Sequence, residues 1–297
     1  MKFSTASIFI AALGASAHPS GHAHKRAHDS IEARGDFVVA NKPAEPSTPV
    51  VSPTPAPAVP TASPSAPAAP PAEKAASSAA GVGSGPSTYT PFCGGNSKRA
   101  TAQEIAYKGN VGAGGSYGCN LMPVKSNLLD QYQYTVVFTN AGEDSKCDCW
   151  NKIGADGLID GFFSGHQALT FDLPAGGKQV LAVDSNSQIG CACGKNGAEL
   201  TNIGQFASTW LEADFGNLSN GGWSGVDVSS IVAAANHMDI PGMKACGTGE
   251  YADVCSIIWP GGKGDNAFVG GTEALDGLGL NIKPGKASVN VIVNFLG

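Results

Sequence analysis

Apolar and polar residues alternate with a period of two along several short stretches in the last two thirds of this chain. The alternation is clearest at 169–173 (LTFDL) and at 289–295 (VNVIVNF). Two further segments, 135–140 (TVVFTN) and 179–186 (QVLAVDSN), are rich in β-branched residues. Successive side chains of a strand point to opposite faces, and β-branched residues favour strands. All four segments are therefore predicted to be β-strands.

Glycine-rich segments between these stretches indicate turns, at 113–118, 154–157, 174–177, 220–222 and 261–264. Many short strands with frequent turns are typical of an antiparallel sandwich or barrel. The predicted fold class is all-β, mainly an antiparallel β-sandwich, with loops stapled by disulfides.

One segment has the period of a helix. Val228, Ile231, Val232 and Ala235 follow the spacing i, i+3, i+4, i+7. Asp227 precedes them, and aspartate is a favoured N-cap residue. A short helix capped by Asp227 is predicted.

The first third of the chain has a different character. Residues 1–17 have a positive Lys2, a short apolar core and small residues at 15–17, the pattern of a secretory signal peptide. That apolar run is too short to span a bilayer, so no membrane segment is predicted. The mature protein is expected to be extracellular.

Residues 18–41 contain HPSGHAHKRAH, which holds four of the six histidines. A mature N-terminus at His18 could bind copper through its amine and imidazole, or the tract could chelate metal loosely. We favour a propeptide cut after Arg26, because a rigid metal site needs a supporting shell that such a tail does not offer. No metal or cofactor is predicted.

Residues 42–87 are dominated by Pro, Ala, Ser and Thr. This composition cannot bury a core and favours extended conformations, so a disordered, O-glycosylated linker is predicted. The folded domain is then expected to occupy 88–297, a length sufficient for one core.

The cysteines all lie within that predicted domain, at positions 93, 119, 147, 149, 191, 193, 246 and 255. An even count in a secreted chain favours disulfides, although two C-x-C pairs could also supply a four-thiolate metal site. Bonding within one C-x-C is geometrically disfavoured. We expect 147 and 149 to pair with 191 and 193 in either order, 246 with 255, and 93 with 119.

The formal charge of −6 and the isoelectric point near 5.5 argue against nucleic acid or an anionic membrane as a partner.

Glu212 and Asp227 are the candidate catalytic pair. Glycoside hydrolysis commonly uses two carboxyls about 5–10 Å apart, one as acid and the other as nucleophile or base. The alternatives are structural, with Asp227 capping a helix and Glu212 solvated on a strand. Further acids, Asp214, Asp239 and Asp253, have nothing in the sequence to single them out.

Of the four tryptophans, Trp210 and Trp223 flank this acidic segment and are candidate sugar-stacking residues, with core packing as the alternative. Asn217 begins the N-x-S/T sequon of the chain and is a candidate glycosylation site, the alternative being an unmodified loop asparagine. Nucleophile elbow, zinc-helix and P-loop motifs are not found in the sequence.

Several segments resemble the Asp f four-type secreted fungal allergen family. They are YKGNVG (107–112), WNKIGADG (150–157), VDSNSQ (183–188), GWSGVDVSSI (222–231) and GMKAC…CSII (242–258). The resemblance implies an extracellular protein that binds host IgE in sensitised individuals. It implies no established enzymatic activity.

A fainter resemblance to thaumatin-like proteins lies in the segment from Ser208 to Cys255. It implies that Glu212 and Asp227 line a cleft associated with β-1,3-glucan binding and sometimes weak hydrolysis. Ser224 stands where that motif usually has another Asp, and eight cysteines stand where that family commonly has sixteen.

These features predict a secreted, cell-wall-associated, non-catalytic protein whose acidic groove binds a polysaccharide such as β-glucan. A weak endo-β-1,3-glucanase, and a host-interacting protein without a sugar site, are the alternatives.

Overall fold

The computed structural model describes residues 83–95, 109–112 and 116–297. The predicted signal peptide (1–17), the histidine-containing tail (18–41) and the predicted linker as far as residue 82 lie outside these residues.

Short strands are the main regular secondary structure of the described chain. In chain order they are β1 (Leu121–Val124), β2 (Tyr134–Asn140), β3 (Ser145–Asn151), β4 (Leu169–Leu173), β5 (Lys178–Val183), β6 (Ser187–Gly194), β7 (Glu199–Leu200), β8 (Phe206–Ala207), β9 (Trp210–Asn217), β10 (Trp223–Ser229), β11 (Met243–Cys246), β12 (Cys255–Ile258), β13 (Gly264–Asp265), β14 (Leu280–Ile282) and β15 (Ala287–Val293).

Helical structure is short. The α-helix of the described residues, α1, runs over Ile231–Ala235, and single 3₁₀ turns occur at Phe92–Gly95, Ser126–Gln131, Leu218–Asn220 and Gly249–Tyr251. None of the helices in the described part of the chain is long and apolar enough to cross a bilayer.

The strands form two large sheets. The first sheet has the order β1-β5-β2-β15-β11-β12-β13, and the second has the order β14-β10-β9-β6-β3-β4. Neighbouring strands are antiparallel except for β15 and β2, which are parallel. A small hairpin of β7 and β8 is separate. The predicted all-β, mainly antiparallel architecture is confirmed.

The predicted strands are found, with small differences at their ends. β4 coincides with the segment predicted at 169–173, and β2 contains the one predicted at 135–140. β5 and β15 end earlier than predicted, before Asn186 (φ 61°) and Asn294 (φ 54°) respectively. Asparagine tolerates this left-handed conformation, which an extended strand cannot contain.

The main core lies between the two sheets. Val136, Phe138 and Val291 come from the first sheet, and Leu211 and Phe215 from the second, and all five side chains are fully buried. Each such side chain removes enough apolar surface from water to stabilise the fold by about 1.5–3 kcal/mol. This cluster holds the two sheets together.

The outer face of the second sheet is also covered. A second apolar cluster packs there, with residues from the β3–β4 loop, from β8 and from α1. It contains Trp150, Phe162, Ala192, Phe206, Ala207, Trp210, Ile231, Val232 and Phe268. As a result all eight residues of β9 are buried, on both faces of the strand.

The predicted linker reaches the domain at its end. The amide of Lys125 donates to the carbonyl of Pro86 (3.1 Å), and the amide of Ser84 donates to the side chain of Gln179 (2.6 Å). Both contacts lie beside β1 and β5, so the last residues of the segment 42–87 pack against the first sheet.

Candidate acidic site on the second sheet

Glu212 and Asp227 face each other across two neighbouring strands. In the antiparallel pairing of β9 and β10, Asp227 stands directly opposite Glu212, and Gly225 stands opposite Asp214. Opposite residues in such a pair have Cβ atoms about 4.5–5.5 Å apart and share a face of the sheet. The two acids are therefore neighbours, as the prediction of a shared site requires.

Alternation along β9 decides which face carries the acids. Leu211, Ala213 and Phe215 belong to the main core. Glu212 and Asp214, at the even positions, consequently point to the outer face of the second sheet. The acids and the main core lie on opposite sides of this sheet.

An aromatic ring lies beside Glu212. Gly190 of β6 is opposite Glu212, and Trp150 of β3 is opposite Gly190. A Cβ atom on Gly190 would lie 2.5 Å from the Trp150 indole. The indole thus occupies the space that a side chain at position 190 would fill, and glycine is required by this close approach.

Lys152 supplies a cation to the same face. The backbone amide of Lys152 donates to the carbonyl of Gln188 (2.9 Å), just beyond the last paired residues of β3 and β6. Gln188 in turn stands opposite Asp214 of β9. Lys152 is half-buried as a whole residue, and its ammonium acts electrostatically on Asp214 and Glu212. Burial lowers the pKa of Lys152, while the two carboxyls act to raise it.

The acids are enclosed. Glu212 and Asp214 are each 4% exposed, and Asp227 is 1% exposed. The predicted solvent-facing groove is therefore wrong. The second apolar cluster and its loops cover the outer face of the second sheet, on which the acids lie. The idea that Glu212 is a solvated strand residue is wrong for the same reason.

Enclosure changes the proton affinity of all three acids. Burial raises the pKa of Glu212 well above its ordinary value, and the charge of Asp227 raises it further, while Lys152 and the nearby Ser229 hydroxyl act to lower it. Burial also raises the pKa of Asp227 well above its ordinary value. It raises the pKa of Asp214 to about 7, against the effects of Asn217 and Lys152.

Unpartnered polar atoms concentrate on this face. Among the described residues, the buried atoms that lack a hydrogen-bond partner include both carboxyl oxygens of Glu212 and one oxygen each of Asp214 and Asp227. The side-chain oxygen of Gln188 and the indole nitrogen of Trp210 share this property. Most buried polar groups are hydrogen-bonded, so a cluster of exceptions marks a candidate functional site.

Asp227 does not cap the helix, so the predicted N-cap is wrong. It lies inside β10, which also contains Val228 of the predicted helical pattern. The residue at the N-cap of α1 is Ser230, whose side chain makes no capping hydrogen bond. The helix is only five residues long because the sheet pairing with β9 continues as far as Ser229.

The two candidate stacking tryptophans are placed differently. Trp210 is 3% exposed and contacts Trp150 edge to face, with ring centroids 5.0 Å apart. Trp223 is half-buried at the start of β10, before a register shift in its pairing with β9. Trp210 therefore belongs to the enclosed face, and Trp223 retains contact with solvent.

Asn217 is buried at the end of β9. It caps the Leu218–Asn220 turn by accepting hydrogen bonds from the amides of Ser219 and Asn220, and its side-chain nitrogen donates to Asp214. This is the nitrogen to which an N-linked glycan would be attached. Both ends of the Asn217 amide are hydrogen-bonded in the folded domain, and glycosylation of this residue stays a prediction.

The disulfide pairing agrees with the predicted pairs and settles the order of two of them. The bonds are Cys93–Cys119, Cys147–Cys193, Cys149–Cys191 and Cys246–Cys255. The last three join residues directly opposite in antiparallel pairs. Among the described residues no three His, Cys, Asp or Glu side chains are arranged to hold a metal ion.

The remaining acids lie elsewhere. Asp239 and Asp253 are exposed in loops. Sequence reasoning missed Lys152, Gln188 and the importance of Asp214. The available signal was the period of two: positions 210, 212 and 214 share a face, and a lysine two residues after Trp150 shares the face of that tryptophan.

Three comparisons place the chain among known proteins. Residues 119–293 match the model of the family described as the Allergen Asp f 4-like domain. The Aspergillus fumigatus protein Allergen Asp f 4 is 36% identical over 195 residues, which cover 64% of this chain and 59% of that relative. The chain thus spans about three fifths of the relative's length.

A distant likeness to a solved structure was also found. The protein elicitor MoHrip2 from Magnaporthe oryzae aligns with 55% of this chain and 99% of its own, at 12% identity and a TM-score of 0.31. The resemblance to thaumatin-like proteins stays a prediction. Since the family model matches more than half of the sequence, with the acid-bearing strands inside the match, the chain belongs to the Allergen Asp f 4-like family.

Proposed function

We propose that this protein is a secreted, non-catalytic allergen-family protein that associates with cell-wall polysaccharide through the outer face of the second sheet. The observation that carries the proposal is the concentration of unpartnered polar atoms around Glu212 and Asp227. Buried acceptors without donors are costly to the folded protein, and a polyhydroxylated ligand supplies such donors.

Secretion is supported by the disulfides and by the family. All eight cysteines are paired, and disulfides persist mainly in oxidising compartments. The relative at 36% identity is named as an allergen, which supports IgE binding in sensitised hosts. IgE binding describes the host's response to the protein. We assign the protein's own function to the acidic face.

The enclosure of the acids argues against hydrolysis while the face is covered, and it limits the rate of binding as well. A general acid must reach the glycosidic oxygen within hydrogen-bond distance. Glu212 and Asp227 are at most 4% exposed, so a glycosidic bond has no contact with either carboxyl while the face is covered. Binding at this face requires the covering segments to move, and we expect slow association for that reason.

A weak endo-β-1,3-glucanase is the second candidate. The cross-strand position of Glu212 and Asp227 favours it, because such neighbours fall in the range that paired glycosidase carboxyls use. The raised pKa of both acids also suits a proton donor. Catalysis would require the same uncovering of the face as binding does.

A pull-down on insoluble β-1,3-glucan and chitin, followed by a reducing-sugar assay, separates the candidates. The proposal expects binding that Glu212→Gln and Asp227→Asn weaken, without sugar release. Asp172→Asn is the matched control, since Asp172 is an exposed acid on edge strand β4 of the same sheet.

Sugar release that falls by about 10²-fold or more in Glu212→Gln would establish the glucanase instead. Binding that Asp172→Asn weakens as much as Glu212→Gln would refute the assignment of the site. If neither polysaccharide is bound or cleaved, a host-interacting protein without a sugar site remains.

A further inference from the structure

The proposed polysaccharide association leaves the chemical class of the sugar open, and the atoms of the acidic face bear on it. The unpartnered buried atoms there comprise four carboxyl oxygens, from Glu212, Asp214 and Asp227, together with the amide oxygen of Gln188. The indole N–H of Trp210 is the donor among them. Once ionised, these carboxyl oxygens only accept hydrogen bonds, so a ligand that favours their ionisation and supplies donors is complementary to the face.

The charges of the face are also unbalanced. Three carboxyls and the single ammonium of Lys152 meet there. Burial favours the protonated forms of the three carboxyls, because ionising all of them beside Lys152 would leave two negative charges uncompensated in a region sheltered from water. An uncompensated buried charge is costly, and a cationic ligand group relieves this cost in a way that a neutral hydroxyl does not.

Aromatic rings border the acids. The Trp150 indole lies over Gly190, immediately beside Glu212, and Trp210 packs against it edge to face. Tryptophan faces attract ammonium groups and also stack on the apolar faces of sugar rings. Both rings are buried, and Trp150 stacks on Phe206, so they become available to a ligand only when the covering segments move.

We infer that this face is a site for a saccharide that carries free amino groups, its ammonium bound between Glu212 and Asp227. The inference rests on the proposed polysaccharide association and narrows it to amino sugars. The ammonium donates up to three hydrogen bonds to the unpartnered carboxyl oxygens, and the sugar ring lies towards Trp150 and Trp210.

Binding of such a ligand releases protons from the protein. Burial raises the pKa values of Glu212, Asp227 and Asp214, so these carboxyls retain protons in the unliganded domain under mildly acidic conditions. An ammonium beside them favours their ionised forms. The protons leave for the solvent as the ion pairs form.

Two oligosaccharides that differ only in acetylation test the inference. A hexamer of β-1,4-linked glucosamine and its fully N-acetylated counterpart are titrated into the full chain by calorimetry at pH 6. Each titration is repeated in two buffers with different heats of ionisation, which reports the protons released. The free amine is expected to bind at least about tenfold more tightly, equivalent to about 1.4 kcal/mol, and with net proton release.

Variants locate the effect. Glu212→Gln and Asp227→Asn keep the side-chain shapes and are expected to abolish most of the preference for the amine. Asp172→Asn removes the same charge from an exposed position, and this variant is expected to retain the preference for the amine. Thermal unfolding of each variant verifies that the fold is retained.

Equal affinity for the two hexamers would overturn the inference. So would a preference for the amine that is lost to the same extent in Asp172→Asn and in Glu212→Gln. If a neutral glucan or the acetylated hexamer binds in a Glu212-dependent way without preference for the amine, the amino-sugar inference fails and the polysaccharide association stands. If no saccharide binds, both fail.

Discussion

At the scale of single residues, Asn217 shows how local hydrogen bonding can occupy a side chain that looks available in the sequence. Its oxygen accepts from the Ser219 amide at 2.8 Å and from the Ser219 hydroxyl at 2.6 Å. Its nitrogen donates to Asp214, and the residue is 4% exposed. The sequon is recognisable from three letters, whereas these contacts depend on the turn after β9.

We therefore expect the folded protein, purified from the medium of a secreting host, to carry no glycan on Asn217. Mass spectrometry of the peptide that contains this residue, with and without prior glycosidase treatment, should give the unmodified mass. The segment 42–87, for which O-glycosylation is predicted, is mapped in the same experiment as a control for glycosylation by the expression host. A glycan on Asn217 in natively folded protein would contradict the packing described for Asp214.

Gly190 is a residue whose small size positions its neighbour. Gly190→Ala places a Cβ within 2.5 Å of the Trp150 indole, and we expect a loss of about 1–3 kcal/mol in the free energy of unfolding. Urea unfolding of the single variants and of the double variant with Trp150→Leu measures the coupling.

In that double variant the shorter leucine leaves room for the alanine, so the two losses should not add. Additive losses would mean that the indole does not lie over Gly190.

At the scale of elements, the disulfides between β3 and β6 hold the central strands of the second sheet in register. Cys149→Ala with Cys191→Ala opens a loop with a sequence separation of 42, and Cys246→Ala with Cys255→Ala opens one of 9. From loop-closure entropy we expect the free energy of unfolding to fall by about 4 kcal/mol for the first pair and by about 3 kcal/mol for the second.

Urea unfolding of the two double variants compares these losses, with peptide mapping to verify the three remaining bonds in each. A larger loss for the shorter loop would show that loop-closure entropy does not control how much each disulfide stabilises the fold.

Strand β9 shows what the sequence could and could not predict. Apolar residues alternate with acids along 211–215, which is enough to place Leu211, Ala213 and Phe215 on one face and Glu212 and Asp214 on the other. Alternation cannot report what covers that face, because the covering residues come from loops and from α1, far along the chain. Enclosure of the acids is a tertiary property, and for this reason the predicted open groove was wrong.

Helix α1 illustrates a related limit. The spacing of Ile231, Val232 and Ala235 indicated helix correctly. Val228, which fitted the same pattern, and Asp227, the predicted N-cap, lie in β10 instead. Strand pairing with β9 outweighs the local helical preference at these two positions. The cysteine pairing was more predictable, since the predicted secretion and the short C-x-C spacing disfavoured most of the alternative pairings.

At the scale of the whole molecule, the buried acids make stability depend on pH. The pKa of Asp214 is about 7 in the folded protein and about 3.9 in an unfolded chain. The folded state binds the Asp214 proton more tightly than the unfolded chain does. The stability that this proton contributes is therefore fully present below about pH 4 and is lost as the pH rises through about 7. By linkage, ionisation of Asp214 alone lowers the free energy of unfolding by on the order of 4 kcal/mol. Glu212 and Asp227 act in the same direction.

We expect the wild-type protein to be more stable at pH 5 than at pH 8, as measured by urea unfolding at both pH values. Asp214→Asn and Glu212→Gln should each reduce the difference, because the amide cannot ionise. Asp172→Asn, which alters an exposed acid, should leave it unchanged. Stability that is flat or that rises between pH 5 and pH 8 would contradict the burial of ionisable acids on the second sheet.

The most direct measurement for the acidic face is the titration of the Glu212 and Asp227 carboxyl carbons by NMR in ¹³C-labelled protein, with resonances assigned through Glu212→Gln and Asp227→Asn. The enclosed pair predicts that both carboxyls still hold protons well above pH 4, the region where exposed carboxyls ionise, and that their transitions shift when either partner is replaced. Two independent transitions near pH 4 would show that the carboxyls are solvated and separate, and the enclosed ligand site would then be excluded.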